Sequence, residues 1–376
     1  MVATGLRLCT RCVLPETFPG VAFDDNGVCN YCHRALVEEK LAAQREASRA
    51  RFEQLLAEVR GRGPYDVLVG WSGGKDSTYI LARLLEEFKV RVLAFTFDNG
   101  FVSKQAFRNM EKLSDSLGVD HVIYKANFQV MRRVFNASAE GEELYPRSAL
   151  GRASNICTSC MGLAKSLALR LCIEKGIPMT AFGWTPGQVP LASGIFKSNP
   201  AIIRKMQEVS LSAMRRLVGE DMVRPYFLEE EHYAHPERFP YNISPLAFME
   251  YDEAKVYEYV QALGWVRPKD TDPNSTNCLI NSYAIHVHLD QHGFHPYVAE
   301  LAGLVREGRM SREEALQRLD TMPADNVVNY VTDRLGVPRY RHPGARARHA
   351  PGPNPGHSHS RNGEQSIEVI QVGARP

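Results

Sequence analysis

No apolar run in this chain reaches the roughly 18 residues that a bilayer-spanning helix needs, so no membrane partner is expected. Its opening residues, MVATGLRLCTRC, lack the apolar core of a secretory signal, which points to a cytoplasmic chain. Neither charge sign dominates. With 45 Lys and Arg against 43 Asp and Glu, the net charge of +2 gives no bulk attraction for nucleic acid, and any such surface has to be local. Cysteine is too sparse and too regular for a disulfide scaffold: of eight, six stand in three C-x-x-C pairs, a spacing that favours metal or redox work. What remains is a chain of 376 residues, 44% hydrophobic, with enough apolar material for a buried core and two or three units.

The stretch that organises the rest is Tyr65 to Phe88. Val67 to Trp71 reads as a buried strand, and Ile80, Leu81, Leu84 and Leu85 recur at helical spacing. Between them lie Ser72, Gly73, Gly74, Lys75, Asp76 and Ser77. Two glycines let the backbone turn, and the free N–H groups of a helix start point at whatever anion sits there. Lys75, read as an exposed loop lysine, adds a point charge for phosphate, and Ser72 and Ser77 offer hydroxyls. The plainer alternative is a Gly-Gly turn before an ordinary helix. The spacing is not Walker A, which separates its first Gly from Gly-Lys-Ser/Thr by four residues. SGGKDS instead resembles the PP-loop of the ATP pyrophosphatases, the adenine nucleotide alpha hydrolase superfamily. That resemblance implies cleavage of ATP between its α- and β-phosphates and adenylation of a substrate oxygen. It also implies phosphate binding by the amides of Gly73 and Gly74 with Lys75, and Asp76 helping to hold Mg²⁺.

Cys9-x-x-Cys12, sixteen residues, then Cys29-x-x-Cys32 matches a four-thiolate zinc ribbon, with Pro19-Gly20 and Asp25-Asn26-Gly27 as turns of a small hairpin. Structural Zn²⁺ is the expected occupant and a redox dithiol the alternative; His33 is read as a bystander. The same segment resembles the N-terminus of the N-acetyl sugar amidotransferases of bacterial surface-glycan pathways, which follow it with a PP-loop domain.

Leu36 to Arg60 reads as a linker helix with Phe52, Leu55, Leu56 and Val59 on one face, closed by Gly61-Arg62-Gly63-Pro64. Strand and helix then alternate, which predicts an α/β fold built on a doubly wound parallel sheet. The expected strands are Val90–Phe97, Asp120–Lys125 and Ile177–Trp184; the expected helices run from Ser103 to Leu117, Phe128 to Phe135 and Leu167 to Lys175. Ligands of such sheets sit beyond the carboxyl ends of the strands. Asp98 and Gly183 are therefore candidate adenosine contacts, with ordinary loop residues as the alternative. The segments read as a zinc ribbon at 1–35, a linker helix at 36–64, a PP-loop domain at 65–268, a helical region at 269–340 and a disordered tail at 341–376.

A second chemical cluster comprises Cys157, Cys160 and the distant Cys278. On a PP-loop scaffold these resemble the tRNA thiolation enzymes, in which three such cysteines hold an iron–sulfur cluster with one iron open for sulfide. Three readings stand: a sulfur-handling site with a 4Fe-4S cluster or a persulfide, a second structural zinc completed by His286 or His288, and unlinked core cysteines. Cys172 is read as core. His286, His288, His292 and His295 are read as helix-surface residues, and His232 and His235, beside Glu229-Glu230-Glu231, as a solvated loop.

Both resemblances imply the same first half-reaction, in which a substrate carbonyl or hydroxyl oxygen attacks the α-phosphorus and pyrophosphate leaves. They differ in the second nucleophile. Ammonia needs no cysteines near the site, whereas sulfide or persulfide does, so sulfur transfer ranks ahead of amidation with Lys75, Asp76, Cys157 and Cys278 as catalytic residues. The alternative is an amidotransferase fed by a separate glutaminase subunit, and a non-enzymatic ATP sensor is a third. The expected acceptor is a small molecule or an RNA, with a sulfur carrier as the other partner and a homodimer as the assembly.

Overall fold

In this computed structural model the described residues are 6–140 and 153–340. The disordered tail expected at 341–376 lies outside them. Helices of nine residues or more are numbered in chain order.

The apolar run after Asp66 forms β1, Val67–Gly70, whose first three residues are buried. It pairs in parallel with β2 (Val92–Asp98) on one side and β4 (Met179–Phe182) on the other, Val67 lying opposite both Val92 and Met179. Burial on both faces explains why this strand reads as continuous hydrophobics rather than as an alternation. β3 (Asp120–Lys125) extends the sheet beyond β2, and its Ile123 is exposed at the edge. The other flank carries β6 (Tyr241–Ile243), parallel to β4, and then β5 (Ile195–Lys197), antiparallel to β6. The order of the six-stranded sheet is β3-β2-β1-β4-β6-β5. The chain winds outward one way through β2 and β3, then returns to add β4 beside β1. The crevice beyond the carboxyl ends of β1 and β4 is thus the switch point where ligands bind in such sheets.

Helices cover both faces. α1 (Glu38–Val59) is the expected linker helix, and its Phe52 is 1% exposed, with ring centroids 5.0 Å from Phe88 and 5.4 Å from Phe248. α2 (Lys75–Glu86) starts at the glycine loop, and α3 (Lys104–Leu117) is capped by Ser103, whose Oγ accepts from Gln105 N. α4 (Phe128–Glu140) runs further than its expected end at Phe135. α5 (Asn155–Lys175) begins well before Leu167, because Ser154 Oγ accepts from Cys157 N at 3.1 Å and caps it. Length and hydropathy alone would let α5 cross a membrane. Here it packs on α4 and the strands, with Ile156, Leu163, Ala168 and Cys172 in the core.

The weakly periodic block after Gly187 yields β5 and α6 (Pro200–Val218). The strand that closes this side of the sheet is Tyr241–Ile243, and Pro245 opens the short helical turn after it, which its missing N–H suits. α7 (Glu253–Ala262), α8 (Ile280–His292), α9 (Val298–Arg306), α10 (Arg312–Asp320) and α11 (Asp325–Leu335) complete the structure. The ribbon, α1, one face of the sheet and residues of α9 and α10 share one hydrophobic cluster. The described residues accordingly fall in a single unit that ends at Tyr340.

Phe52→Ala removes the aromatic that clamps α1 to the sheet. The expected loss is about 3–5 kcal/mol, read as a lower urea midpoint at unchanged slope. An unchanged midpoint would mean that α1 contributes nothing to the core.

Candidate active site and metal centre

At the carboxyl end of β1 the chain must turn sharply into α2. Gly73 takes φ +76, and a Cβ there would sit 3.0 Å from both Ala106 Cβ and Ala106 O. Gly74 is the N-cap residue of α2. The serines brace the loop: Ser72 Oγ lies 3.0 Å from Ser77 Oγ and accepts from Gly74 N at 3.3 Å. Gly183, at the end of β4, packs so closely that a Cβ would meet Ser77 N at 2.8 Å. Only glycine lets β4 approach the loop. Gly183 also lines the cavity there, so its place agrees with a ligand contact, although packing alone already requires it.

Lys75 is 6% exposed, not the loop lysine expected from sequence. Its Nζ lies 2.7 Å from Asp76 Oδ2 and 3.1 Å from Glu253 Oε1. Burial acts to lower its pKa, but the carboxylates of Asp76 and Glu253 prevail and hold it well above the ordinary lysine range. Glu253 is shared with Arg318, which also reaches Glu314 at 2.7 Å. Asp76 Oδ1 accepts from Tyr251 Oη at 3.1 Å. The loop N–H of Lys75 donates to Thr276 Oγ1 at 3.1 Å.

These residues open onto a cavity of about 450 Å³ lined by Ser72, Gly74, Lys75, Asp76 and Ser77 at one end and by Cys157, Cys160 and Cys278 at the other. The three cysteines therefore converge, despite the long insertion before Cys278. α5 delivers Cys157 and Cys160 from its first turns, and Cys278 is held by an isolated antiparallel bridge to Val102. Asn99 organises the sulfurs: its Nδ2 lies 3.2 Å from Cys160 Sγ and 3.6 Å from Cys278 Sγ, while its Oδ1 accepts from Phe101 N at 2.8 Å. Cys157 is pushed up to about 12 by burial, and burial raises Cys160 and Cys278 as well. Asp98 does not line the cavity. Its carboxylate accepts from Gly100 N at 2.9 Å and shapes the turn, so Asn99 takes the facing position expected of Asp98.

Among the described residues no histidine lines this cavity. His286, His288 and His295 are buried rather than on a helix surface, and His288 stacks edge-on against Phe294 at 4.9 Å. Burial drives His288 and His295 down to about 3, so both stay neutral. Neither His286 nor His288 stands where it could complete a zinc site with the three cysteines. His232, read as part of a solvated loop, is likewise buried and sits 3.2 Å from Glu174.

The ribbon cysteines are a different case. Cys9 Sγ lies 3.8 Å from Cys32 Sγ and Cys12 Sγ lies 3.7 Å from Cys29 Sγ. A tetrahedral ion with Zn–S bonds of about 2.3 Å sets its sulfurs about 3.8 Å apart, so the four residues fit zinc. Among the described residues this is the one group of three or more metal-ligand side chains lying within 4.8 Å of one another. Burial raises Cys9, yet the N–H groups of Cys12 and Cys29 outweigh it and bring the thiol down to about 7; burial and neighbouring thiolates push Cys12 up to about 11. Four thiolates need a cation. His33 pairs with Asp24 at 2.9 Å and stays outside the shell. Arg306 lies 3.7 Å from Cys12 Sγ, and Arg312 donates to the carbonyls of Cys9 and Cys12.

Several of these residues gave no signal in sequence. Glu253 and Arg318 are single charges on amphipathic helices, Asn99 sits in a turn, and Glu300 lies in an apolar helix. Glu300 stands partly exposed on the cavity wall, where Thr185 Oγ1 donates to Oε1 at 2.6 Å and Gln188 Nε2 to Oε2 at 2.9 Å. Only the run Asp272 to Cys278, dense in turn and hydroxyl residues, marks itself as a functional loop.

No family model matches the chain. An uncharacterized protein of Methanocaldococcus jannaschii, MJ1599, is 24% identical over 317 residues, covering 83% of this chain and 92% of its own length. Among solved structures, the U34-tRNA thiolase NcsA from Methanococcus maripaludis with its 4Fe-4S cluster is 17% identical, covering 84% of this chain and 90% of its own, at a TM-score of 0.32. The NMN synthetase from Francisella tularensis is 12% identical over 80% of this chain and 96% of its own, at a TM-score of 0.33. These likenesses are remote. The case for an adenine nucleotide alpha hydrolase-like sheet rests on strand order and loop.

Two outcomes are expected. Cys12→Ser and Cys29→Ser should each lower bound zinc, measured by metal analysis of the purified protein, and unchanged stoichiometry would remove the ribbon assignment. Lys75→Ala should abolish ATP binding in calorimetry and also destabilise the fold by about 3–5 kcal/mol, because Asp76 and Glu253 are left uncompensated. Wild-type stability in that variant would contradict the buried network.

Proposed function

We propose that this chain is an ATP pyrophosphatase that adenylates an acceptor oxygen and then transfers sulfur to the same centre. The observation that carries the reading is the shared cavity, with the glycine loop and Lys75 at one end and Cys157, Cys160 and Cys278 at the other.

In the first half-reaction the acceptor oxygen attacks the α-phosphorus of ATP and pyrophosphate leaves. Positioning and charge neutralisation supply most of the catalysis. The amides at the start of α2 and Lys75 hold phosphate oxygens, in competition with the Ser72 and Thr276 hydroxyls that now occupy two of those amides. Asp76 faces the same space and is the residue placed to share Mg²⁺ with the phosphates. In the second half-reaction a sulfur nucleophile displaces AMP.

The three cysteines fit a cluster better than a single ion. Their sulfurs do not gather as tightly as the four of the ribbon. Cluster thiolates bind separate irons and need wider spacing, and among the described residues no histidine or further cysteine lines the cavity beside them. When bound, a cluster held by Cys157, Cys160 and Cys278 supplies an iron open to a sulfur ligand. Asn99 keeps two of the three sulfurs turned to the cavity and stabilises their thiolates.

Protein purified without oxygen should be brown and carry acid-labile sulfide. Cys278→Ser should lose both while still releasing pyrophosphate from MgATP. Colourless anaerobic protein that retains full activity after that substitution overturns sulfur transfer, and product formation with ammonia would then establish amidation.

A further inference from the structure

We infer that Glu300 is a catalytic base of this site, taking the proton that the acceptor's N–H or O–H gives up as its oxygen bonds to the α-phosphorus. The inference rests on the adenylation reading and adds a residue to it. Its requirement is chemical: a neutral acceptor that forms an O–P bond to the nucleotide must shed a proton, and a group beside the acceptor has to receive it.

Glu300 meets the geometric conditions. It projects from α9 onto the wall of the cavity that holds Lys75 and Asp76. Two donors fix the carboxylate, the Thr185 hydroxyl at 2.6 Å and the Gln188 amide at 2.9 Å. Both belong to the loop after β4, at the switch point of the sheet. A carboxylate accepts at about four lone-pair positions, so roughly two remain for a substrate proton. The other carboxylates of the cavity are committed: Asp76 is held by Lys75 and Tyr251, and Glu253 by Lys75 and Arg318. Among the described residues that line the cavity, Glu300 is the carboxylate with no cation within salt-bridge distance.

Its electrostatic surroundings agree. Burial raises Glu300 to about 7, with Asp76 pushing further up and the Thr185 and Gln188 bonds and Lys75 pulling down. The titratable groups around it are Asp76 and Lys75 on α2, Tyr251 ahead of α7 and Tyr297 at the start of α9. Both tyrosines are held neutral by burial, and Lys75 stays charged. Glu300 is thus the member of the group that changes charge near neutrality, where a general base is most effective.

The proton balance is simple. The acceptor oxygen forms its bond to the α-phosphorus, the bond from that phosphorus to the bridging oxygen breaks, and pyrophosphate takes the electron pair. The acceptor's proton moves to a Glu300 oxygen and returns to solvent when the product leaves. No oxidant or reductant enters.

The test uses the full-length protein with MgATP and water as the acceptor, since water offers the same O–H. AMP and pyrophosphate are measured between pH 5.5 and 8.5. The wild-type rate should climb with pH through about 7 and level off. Glu300→Gln should lower it about 100-fold or more, abolish that rise, and leave MgATP affinity by calorimetry within about threefold. In Glu300→Ala, added formate should restore part of the rate, which a merely structural carboxylate would not allow. A wild-type pH profile in Glu300→Gln, or no formate rescue in a folded Glu300→Ala, overturns the role of Glu300 alone. Absence of AMP and pyrophosphate from the wild type overturns the adenylation reading, and the role of Glu300 with it.

Discussion

A buried ammonium cannot persist in a protein interior unless anions surround it, and the Lys75 side chain is such a group. Removing it from water opposes its charge; Asp76 and Glu253 at 2.7 and 3.1 Å restore it. Each anion is itself committed elsewhere, Asp76 to Tyr251 and Glu253 to Arg318. The consequence is mechanical as well as electrostatic. The glycine loop, α7 and α10 are tied together by charges that none of them could bury alone. α10 also carries Arg312, which donates to the carbonyls of Cys9 and Cys12. One helix therefore links the N-terminal cysteine cluster to the glycine loop, and α9 repeats the link with Glu300 in the cavity and Arg306 against Cys12. A ribbon that sequence presents as a separate appendage is tied to two helices whose residues line the cavity.

A second coupling runs through the loop before α8. Thr276 occupies the N–H at the start of α2, Asn277 O accepts from Ser103 N at 2.8 Å, and Cys278 follows at once against Val102. Three successive residues thus touch the phosphate loop, the cap of α3 and the sulfur cluster. Any ligand that displaces the Thr276 hydroxyl acts on the backbone holding Cys278. The two ends of the cavity are adjacent in the chain even though Lys75 and Cys278 are far apart in it.

The parts legible in sequence were those with a local physical signature. Val67 to Ser77 declared a strand, a turn that only glycine can make, and a helix start. The ribbon declared itself through paired C-x-x-C knuckles. β3 fell at the expected Asp120–Lys125, and Ser103 caps the helix expected to start there. What stayed hidden was tertiary. Burial of Lys75 depends on Glu253 and Arg318, which in sequence are indistinguishable from solvated helix charges. Asp98 seemed the polar residue most suited to face a ligand, but its carboxylate closes the turn and leaves that role to Asn99. The histidines of α8 looked like surface residues because polar and apolar side chains alternate round their helix and leave no face from which to judge burial. Cys157 and Cys160 were visible as a pair, yet only the cap at Ser154 reveals them as one helical turn.

The charge balance of the cavity constrains the chemistry further. Its ionisable walls carry Lys75, Lys165 and Arg318 against Asp76, Glu253 and Glu300. That is near neutrality, and Lys75 and Arg318 are engaged by carboxylates. A triphosphate entering such a space adds several negative charges to a low-dielectric pocket that holds little spare positive charge. Bound alone, it would drive protons onto Glu300 and disable the one carboxylate free to act as a base. Bound with Mg²⁺, it arrives largely compensated and leaves Glu300 near its resting protonation. The thiols at the other end face the same limit: burial holds them protonated, so they cannot act as thiolates until a cationic centre offsets their charge. Both proposed half-reactions thus wait on imported positive charge, because Asp76 and Glu253 already neutralise Lys75 and Arg318.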